Sequence, residues 1–157
     1  PDWRYCPTGA YAIYNNDPIN GEIYGYLYNW RAVDDSRNIA PEGWHVPSDA
    51  EWNILVEFLG SDAGGKLKEA GYDHWNPPNT GATNESGFTA LASGNRSYYH
   101  GGFRELGNSE FYWTSTYSGW GGSYYEAWVH YVQYGTSYTQ RIDLPIGAGI
   151  SIRCVKD

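Results

Sequence analysis

At residues 47–60 the chain reads Pro-Ser-Asp-Ala-Glu-Trp-Asn-Ile-Leu-Val-Glu-Phe-Leu-Gly, which predicts a helix whose two ends are both marked. Ser48 can accept a hydrogen bond from the Glu51 amide, and the Glu51 side chain can bond the Ser48 amide in return, as in a capping box. Gly60 favours the left-handed stop at the other end. Between the caps, apolar side chains recur at three- and four-residue spacing: Trp52, Leu55, Val56 and Leu59. We therefore expect an amphipathic helix whose stripe faces the core.

Regular structure is shorter on either side of this helix. From residue 11 to 28 tyrosine alternates with small or polar residues, and the turn-forming run Asn15-Asn16-Asp17-Pro18 interrupts the pattern, so short strands and turns are expected. A second, shorter helix is predicted at residues 65–70, ended by Gly71. Residues 72–87 are rich in Asn, Pro, Gly and Thr, which predicts a long ordered loop of the kind that often carries binding residues.

The second half of the chain is predicted to be mainly β. Short strands separated by Gly and Ser turns are expected at residues 87–91, 111–115, 126–134 and 150–155. Side chains alternate across a pleat, so the third of these strands has two distinct faces. One face carries Trp128, His130, Val132 and Tyr134, and the other carries Val129, Tyr131 and Gln133. We expect one face to be buried and the other to be available to a partner.

The stretch from Phe111 to Gln140 has the composition of a contact surface. Its thirty residues carry one formal charge, Glu126, and include eleven Phe, Tyr or Trp and twelve Ser, Thr or Gly. Tyr and Trp supply stiff amphipathic area while Ser and Gly supply adaptable hydrogen bonding, as in antibody paratopes. The same aromatics also favour strands and can fill the core of a β-rich domain. From composition alone we divide them about equally between surface and core.

Length and charge restrict the class of protein. A chain of 157 residues corresponds to one domain, residues 1–157. The net charge is −8 and the basic residues are spread thinly, so neither nucleic acid nor an anionic membrane surface is an expected partner. No apolar run is long enough for a membrane span, and we expect no direct membrane insertion. Because the chain opens at Pro1 without an initiator Met or an apolar leader, we expect it to be a piece excised from a longer protein.

The motifs point away from catalysis and metal binding. The four histidines have no recognised metal-ligand spacing: His45, His74, His100 and His130. No serine lies in a GxSxG elbow. We therefore expect no enzymatic activity, no cofactor and no metal site, although a structural calcium ion bound by surface carboxylates stays open. Cys6 and Cys154 lie near opposite ends, and the residues alone leave open whether they form a disulfide around a very long loop or stay free thiols.

Five motifs in order carry a resemblance over nearly the whole chain. They read YGYLYNW at 24–30, PEGWHVPSDAEW at 41–52, GGKLKEAG at 64–71, NESGFTAL at 84–91 and SIRCVK at 151–156. Together they resemble the Fibrobacter succinogenes major paralogous domain, a family similar to the formylglycine-generating-enzyme branch of the C-type lectin-like fold. The resemblance implies an α+β domain with two short helices, a mainly antiparallel, loop-rich β second half, and terminal strands that pair. Termini lying side by side would favour a Cys6 to Cys154 bridge.

The resemblance also implies where such a domain is used. Many members belong to secreted or surface proteins of gut and rumen Bacteroidetes, so the expected location is extracellular, on a cell surface or on a virion. Some members resemble the variable proteins of diversity-generating retroelements, including phage receptor-binding proteins, in which the C-terminal stretch is diversified. Trp120 departs from that pattern, because adenine-directed mutagenesis of an Asn codon does not produce Trp.

Two activities known for related folds lack their motifs in this chain. Formylglycine-generating enzymes use paired active-site cysteines and copper, whereas the two cysteines here lie at opposite ends of the sequence. Calcium-dependent lectins use Glu-Pro-Asn or Gln-Pro-Asp together with Trp-Asn-Asp, and none of these tripeptides occurs. Calcium-independent carbohydrate binding remains the alternative, since Tyr and Trp rings stack on sugar rings.

The sequence therefore predicts a non-catalytic ligand-binding module whose partner is a protein receptor or a surface glycan. Tyr and Trp would be the anchors, and Gln and His would orient the ligand by hydrogen bonds. The predicted binding residues are Tyr98, Tyr99, His100, Tyr117, Trp120, Tyr124, Tyr125, Tyr131, Gln133, Tyr138 and Gln140. Four tryptophans that fall within the scaffold motifs are assigned to the core: Trp44, Trp52, Trp113 and Trp128.

Overall fold

The computed structural model describes residues 2–120 and 124–157, and the side chain of Trp120 lies outside this description. Four helices are present in the described residues: α1 (Pro18–Tyr24), α2 (Trp30–Val33), α3 (Asp49–Leu59) and α4 (Ala63–Leu67). A 3-10 turn covers Tyr14–Asn16. The strands are β1 (Tyr11–Ala12), β2 (Leu27–Tyr28), β3 (Trp44–His45), β4 (Asn95–Arg96), β5 (Phe103–Arg104), β6 (Ser109–Trp120), β7 (Tyr125–Gln133), β8 (Gln140–Pro145) and β9 (Val155–Lys156). The prediction of an α+β fold is confirmed.

An antiparallel meander of β6, β7 and β8 forms the centre of the molecule. Beyond β6 the sheet continues through single bridges, because Tyr112 pairs with Ser151 and Ile150 pairs with Tyr28. Three two-stranded ladders, β1 with β2, β3 with β9 and β4 with β5, surround the meander. The β6–β7 register shifts on both sides of Tyr117, which makes the outer half of this hairpin irregular.

Both faces of the meander are covered, so the prediction of one buried and one available face is wrong. One core lies under α3 and α4 and contains Trp52, Leu59, Leu67, Tyr112 and Val132. The other core lies on the opposite face and contains Trp30, Phe111, Trp113, Val129 and Ile150. The alternation of side chains was read correctly, but α3 covers one face while α2 and the 146–150 segment cover the other.

The predicted capping of α3 is confirmed. The Glu51 amide donates to Ser48 Oγ over 3.3 Å, and the Ser48 amide donates to Glu51 Oε2 over 2.8 Å. Gly60 ends the helix with φ of 85°. The apolar stripe packs on the first core, with Trp52 and Leu59 buried and Leu55 and Val56 partly buried.

Other predicted elements were shifted or absent. Residues 18–24 form a helix and not a turn, because Asp17 accepts a hydrogen bond from the Ile19 amide and Pro18 occupies the first helical position. The second helix starts and ends earlier than predicted, at Ala63–Leu67. The strand at 87–91 is reduced to a bridge at Ala90, since Thr89 has φ of 56°, outside the extended region. The strand predicted at 150–155 is likewise shorter, since only isolated bridges at Ile150 and Ser151 and the short β9 are present.

The assignment of tryptophans to the core is right for Trp52 and Trp113, which are buried. Trp128 is half-buried, with the Arg141 guanidinium 3.3 Å from the centre of its ring. Trp44 is 40 % exposed, and its assignment to the core is wrong. It lies in the two-residue ladder of β3 with β9, outside the three-stranded meander.

Both cysteines are free thiols, so the disulfide favoured by the resemblance is wrong. The implied pairing of terminal strands also fails, because β9 pairs with β3 and not with the N-terminal segment. Cys154 lines a cavity with Trp52 and Phe88, whereas Cys6 lines a different cavity with Arg31. No helix among the described residues is long and apolar enough to span a membrane.

Two buried ionisable groups fix loops to the meander. Lys68 is fully buried and donates to the carbonyl oxygens of Thr80, Gln133 and Thr136 at 3.0, 2.9 and 2.8 Å. Burial lowers the pKa of Lys68 to about 8, while the three carbonyl acceptors favour the ammonium form. Glu110 accepts a 2.6 Å bond from the Ser93 amide, and burial raises the pKa of this carboxyl to about 8.

Candidate functional site

A cleft lies between the N-terminal segment and the outer end of the β6–β7 hairpin. Its volume is about 320 Å³, within the lower range for small-molecule sites. Gly147 helps to bring the walls together, because a side chain there would meet the backbone of Trp3 at 2.7 Å. The lining residues are mainly aromatic or basic: Trp3, Arg4, Tyr5, Cys6, Pro7, Arg31, Tyr98, Tyr124, Tyr125, Pro145, Ile146 and Gly147.

Tyrosine rings touch one another around this cleft. Tyr98 and Tyr124 meet edge to face with centroids 5.0 Å apart, and Tyr99 contacts Tyr98 at 6.3 Å. Within the hairpin, Tyr117 contacts Tyr125, with the ring centroids 6.2 Å apart. Such pairs hold each other in place while leaving ring surface exposed, and Tyr99, Tyr117 and Tyr125 are 59 %, 44 % and 51 % exposed. The charge-poor stretch thus supplies three of the tyrosines of one surface.

The scaffold below these tyrosines is well packed. Trp30 donates its indole N–H to the Thr114 carbonyl over 2.9 Å and contacts Tyr117 at 5.9 Å. The Trp30 amide donates to the Ile146 carbonyl, which fixes α2 against the segment that follows β8. Fixed rings of this kind lose little conformational entropy on binding a ligand.

Arginine side chains give the cleft a local positive charge. Arg4 donates to both carboxylate oxygens of Asp2, and its guanidinium lies 4.9 Å from the centre of the Tyr99 ring. The hydrogen bonds from Arg4 lower the pKa of Asp2 to about 2. Arg31 projects from α2 between the cleft and an adjoining depression lined by Tyr117 and Asp34.

His100 and Tyr99 border a second, more polar depression beside the cleft. The Gly102 amide donates to His100 Nδ1 over 3.0 Å, which holds the exposed imidazole on its own loop. Tyr11 and Arg96 contribute to the same depression. Tyr98, Tyr99 and His100 were predicted to bind a ligand from one loop. This loop adjoins the cleft.

The remaining predicted residues form a separate surface. Tyr131 donates to Gln140 Oε1 over 2.7 Å, and Gln140 Nε2 donates to Gln133 Oε1 over 3.0 Å. Tyr138 is 51 % exposed in the loop that joins β7 to β8. At about 3.3 Å per residue, the eight steps of β7 from Tyr125 to Gln133 place the two surfaces roughly 26 Å apart. The predicted set is therefore divided between the two ends of β7, and the Trp120 side chain lies outside the described residues.

Several residues of the cleft were missed from the sequence. Trp3, Arg4, Tyr5 and Arg31 carry no motif, and they reach the hairpin only through the tertiary fold. The clustering of aromatic and basic residues at positions 3–5 was the one signal available, and it is weak because single exposed aromatics are common.

A second polar cluster ties α3 to the meander. Arg141 donates to both oxygens of Asp49, at 2.7 and 2.8 Å, and His130 Nε2 lies 3.1 Å from the same carboxylate. Burial opposes ionisation of Asp49, but the bonds from Arg141 and His130 outweigh it and lower the pKa. Burial lowers the pKa of His130, whose ring stacks on Trp52 at 5.3 Å. The Asp49 carboxylate in α3 and the neutral His130 imidazole in β7 thus have a structural role, because they connect the helix to the meander.

Among the residues that the structure describes, no group of three His, Cys, Asp or Glu side chains is arranged to hold a metal ion. The described residues that line the cleft include no His, Asp or Glu that could serve as a general base. The groups that the cleft offers to a ligand are aromatic faces, phenol hydroxyls, guanidinium groups and one thiol.

Nearly the whole chain matches the model of one domain family. The model of the Fibrobacter succinogenes major domain matches residues 2–156, and the chain belongs to this family. No curated protein and no solved structure matches the chain.

Proposed function

We propose that this domain is a non-catalytic ligand-recognition module that binds its ligand at the cleft and at the tyrosines around it. One observation carries the proposal. Tyr117 and Tyr125 of the charge-poor stretch are exposed and contact each other, and Tyr117 also contacts Trp30, which is buried as Trp3 and Trp113 are. A rigid scaffold with exposed tyrosines is the arrangement that gives large contact area at low entropic cost.

Tyr124 and Tyr125 are the strongest candidates for anchors. Both line the cleft at the start of β7, and Tyr125 also lines the adjoining depression. Truncating an aromatic anchor at the centre of an interface costs about 2 kcal/mol or more. Rings at the rim, such as Tyr99, are expected to contribute less because they stay partly in water.

Binding to intact cells of gut and rumen bacteria, together with a printed glycan array, tests the proposal. Wild-type domain is compared with Tyr124→Ala/Tyr125→Ala and with Tyr72→Ala, a matched loss of a tyrosine that is 62 % exposed in the 72–87 loop. The double variant should lose binding and Tyr72→Ala should keep it. Equal binding by all three proteins would contradict the proposal, as would a wild-type domain that binds neither probe.

A glycan is the second candidate ligand, and the concave shape of the cleft favours it. A cavity of about 320 Å³ bordered by tyrosines suits the end of a sugar chain better than a flat protein epitope. Treating the target cells with protease or with periodate separates the two ligands. Protease should abolish binding to a protein receptor, and periodate should abolish binding to a glycan.

We also propose that exposed positions of the β6–β7 hairpin are diversified by a retroelement, as in the variable proteins that some members of the family resemble. The division of the hairpin supports this, because Trp113, Ala127 and Val129 are buried whereas Tyr117 and Tyr125 are exposed. The neighbouring DNA tests it. A reverse transcriptase gene beside a template copy of the segment that encodes residues 111–140 is expected, with substitutions confined to codons for exposed residues. Its absence would contradict this part of the proposal.

The proposed location is the outside of a cell or a virion, where a receptor or a surface glycan is accessible. Support comes from the family resemblance and from the proposed ligand classes. Labelling of intact cells of the source organism with an antibody to the domain is expected to be positive, and labelling only after lysis would contradict this location.

A further inference from the structure

Arg31 occupies a distinctive position in the cleft. It follows Trp30 in α2, whose backbone is fixed to the Ile146 carbonyl and whose indole is fixed to the Thr114 carbonyl. The side chain lies at the junction of the cleft and the adjoining depression, so a ligand in either place meets its guanidinium.

The guanidinium of Arg31 is incompletely paired. Its Nε is buried and has no hydrogen-bond partner among the described residues. No ion pair joins it to a carboxylate in the described part of the chain, although Asp34 lines the depression on one side. Residues 121–123, outside this description, are Gly-Gly-Ser and carry no carboxylate side chain. The charge of the guanidinium is therefore not neutralised by an ion pair within the described residues, and an anionic ligand in the cleft would supply one.

The surroundings of Arg31 favour an anion over a neutral ligand. Arg4 adds a second cationic group to the cleft, although Asp2 already neutralises it in part. No Asp or Glu is among the described residues that line the cleft, while the whole chain has a net charge of −8. Although the protein as a whole is acidic, the cleft itself carries cationic groups. It therefore attracts anions and selects them over neutral ligands.

We propose that the cleft binds a glycan terminus that carries a carboxylate, with Arg31 as its anion-binding residue. This inference rests on the proposed function, because it names the ligand of the same cleft. The two terminal nitrogens of the Arg31 guanidinium form a fork that matches the two oxygens of a carboxylate. Tyr124 and Tyr125 border the position from which the sugar ring would extend. The concave shape and the volume of about 320 Å³ favour a sugar carboxylate over the acidic patch of a protein.

Calorimetric titration with paired sugars tests the inference. The pairs are oligogalacturonate with a neutral galacto-oligosaccharide of equal length, and sialyllactose with lactose. Wild-type domain should bind at least one acidic sugar at least tenfold more tightly than its neutral partner. Arg31→Gln should remove that preference, and Arg31→Lys should restore only part of it, because lysine keeps the charge without the fork. Arg37→Gln is the matched control, since Arg37 pairs with Asp35 outside the cleft and is 83 % exposed.

The outcomes separate this inference from the proposed function. If acidic and neutral sugars bind equally, or if Arg31→Gln behaves as Arg37→Gln does, the role of Arg31 is overturned while the cleft remains the site. If Tyr124→Ala/Tyr125→Ala binds every sugar as tightly as wild type, the cleft itself is overturned. If wild-type domain binds none of the four sugars, the acidic-glycan inference is overturned, and binding to cells decides the proposed function. Thermal unfolding of each variant confirms that it is folded.

Discussion

Replacing Glu110 by glutamine should stabilise the domain at neutral and alkaline pH. The carboxyl is 3 % exposed, and burial raises its pKa from 4.5 to about 8. Because the folded-state pKa is the higher one, the stabilising contribution is complete below pH 4.5 and is lost as the pH rises through about 8. At roughly 1.4 kcal/mol per pKa unit, wild type should lose roughly 3 to 4 kcal/mol of unfolding free energy from this group between pH 5 and 8. Glutamine stays neutral and can still accept the Ser93 amide bond.

Urea unfolding followed by tryptophan fluorescence at several pH values between 5 and 8 measures this effect. The difference in unfolding free energy between Glu110→Gln and wild type should grow with pH by about 1.4 kcal/mol per unit, the signature of one proton. Glu57→Gln, which removes an exposed carboxylate from α3, serves as the control. Parallel curves for Glu110→Gln and wild type would refute the argument that this carboxyl is held protonated by burial.

Three further predictions concern stability and the thiols. Asp49→Asn should lower the unfolding free energy by about 2 kcal/mol, because it weakens the bonds to Arg141 and His130 at a partly exposed pair. The folded-state pKa values of Asp49 and His130 are both lowered, so their stabilisation is lost as the pH falls, and the acid limb of a stability curve should be shallower in this variant. Lys68→Met should cost about 3 kcal/mol or more by urea unfolding, since three carbonyls lose their donor. Iodoacetamide should modify both cysteines without a reductant after unfolding, and a mass showing no alkylation would contradict free thiols.

Local signals in the sequence predicted local structure well. The capping box at Ser48 and Glu51 and the stop at Gly60 fix α3 through contacts only a few residues apart, and the structure has them all. The helix at Pro18–Tyr24 was also marked locally, by Asp17 before Pro18, but the flanking asparagines led to its interpretation as a turn. The ends of a helix can thus be predicted from the sequence when the capping residue and the residues that follow it are considered together.

Tertiary contacts were less predictable. Burial of both faces of β7 depends on α3 and on the 146–150 segment, which no period in the strand itself reveals. The four predicted binding residues at the far end of β7, Tyr131, Gln133, Tyr138 and Gln140, are separated from the cleft by the length of the strand. The contribution of Arg31 to the cleft depends on how α2 packs beside β8, and no pattern within α2 encodes it.

The most direct test of the account is the dissociation constant of the domain for the ligand found on cells or on the glycan array, measured with and without the paired tyrosines. Replacing Tyr124 and Tyr125 by alanine should raise the dissociation constant roughly 30-fold or more, as expected for a loss of about 2 kcal/mol at the centre of an interface. Removal of the exposed ring of Tyr72 should leave it unchanged. An unchanged constant in the double variant, with the fold intact, would contradict recognition at this cleft.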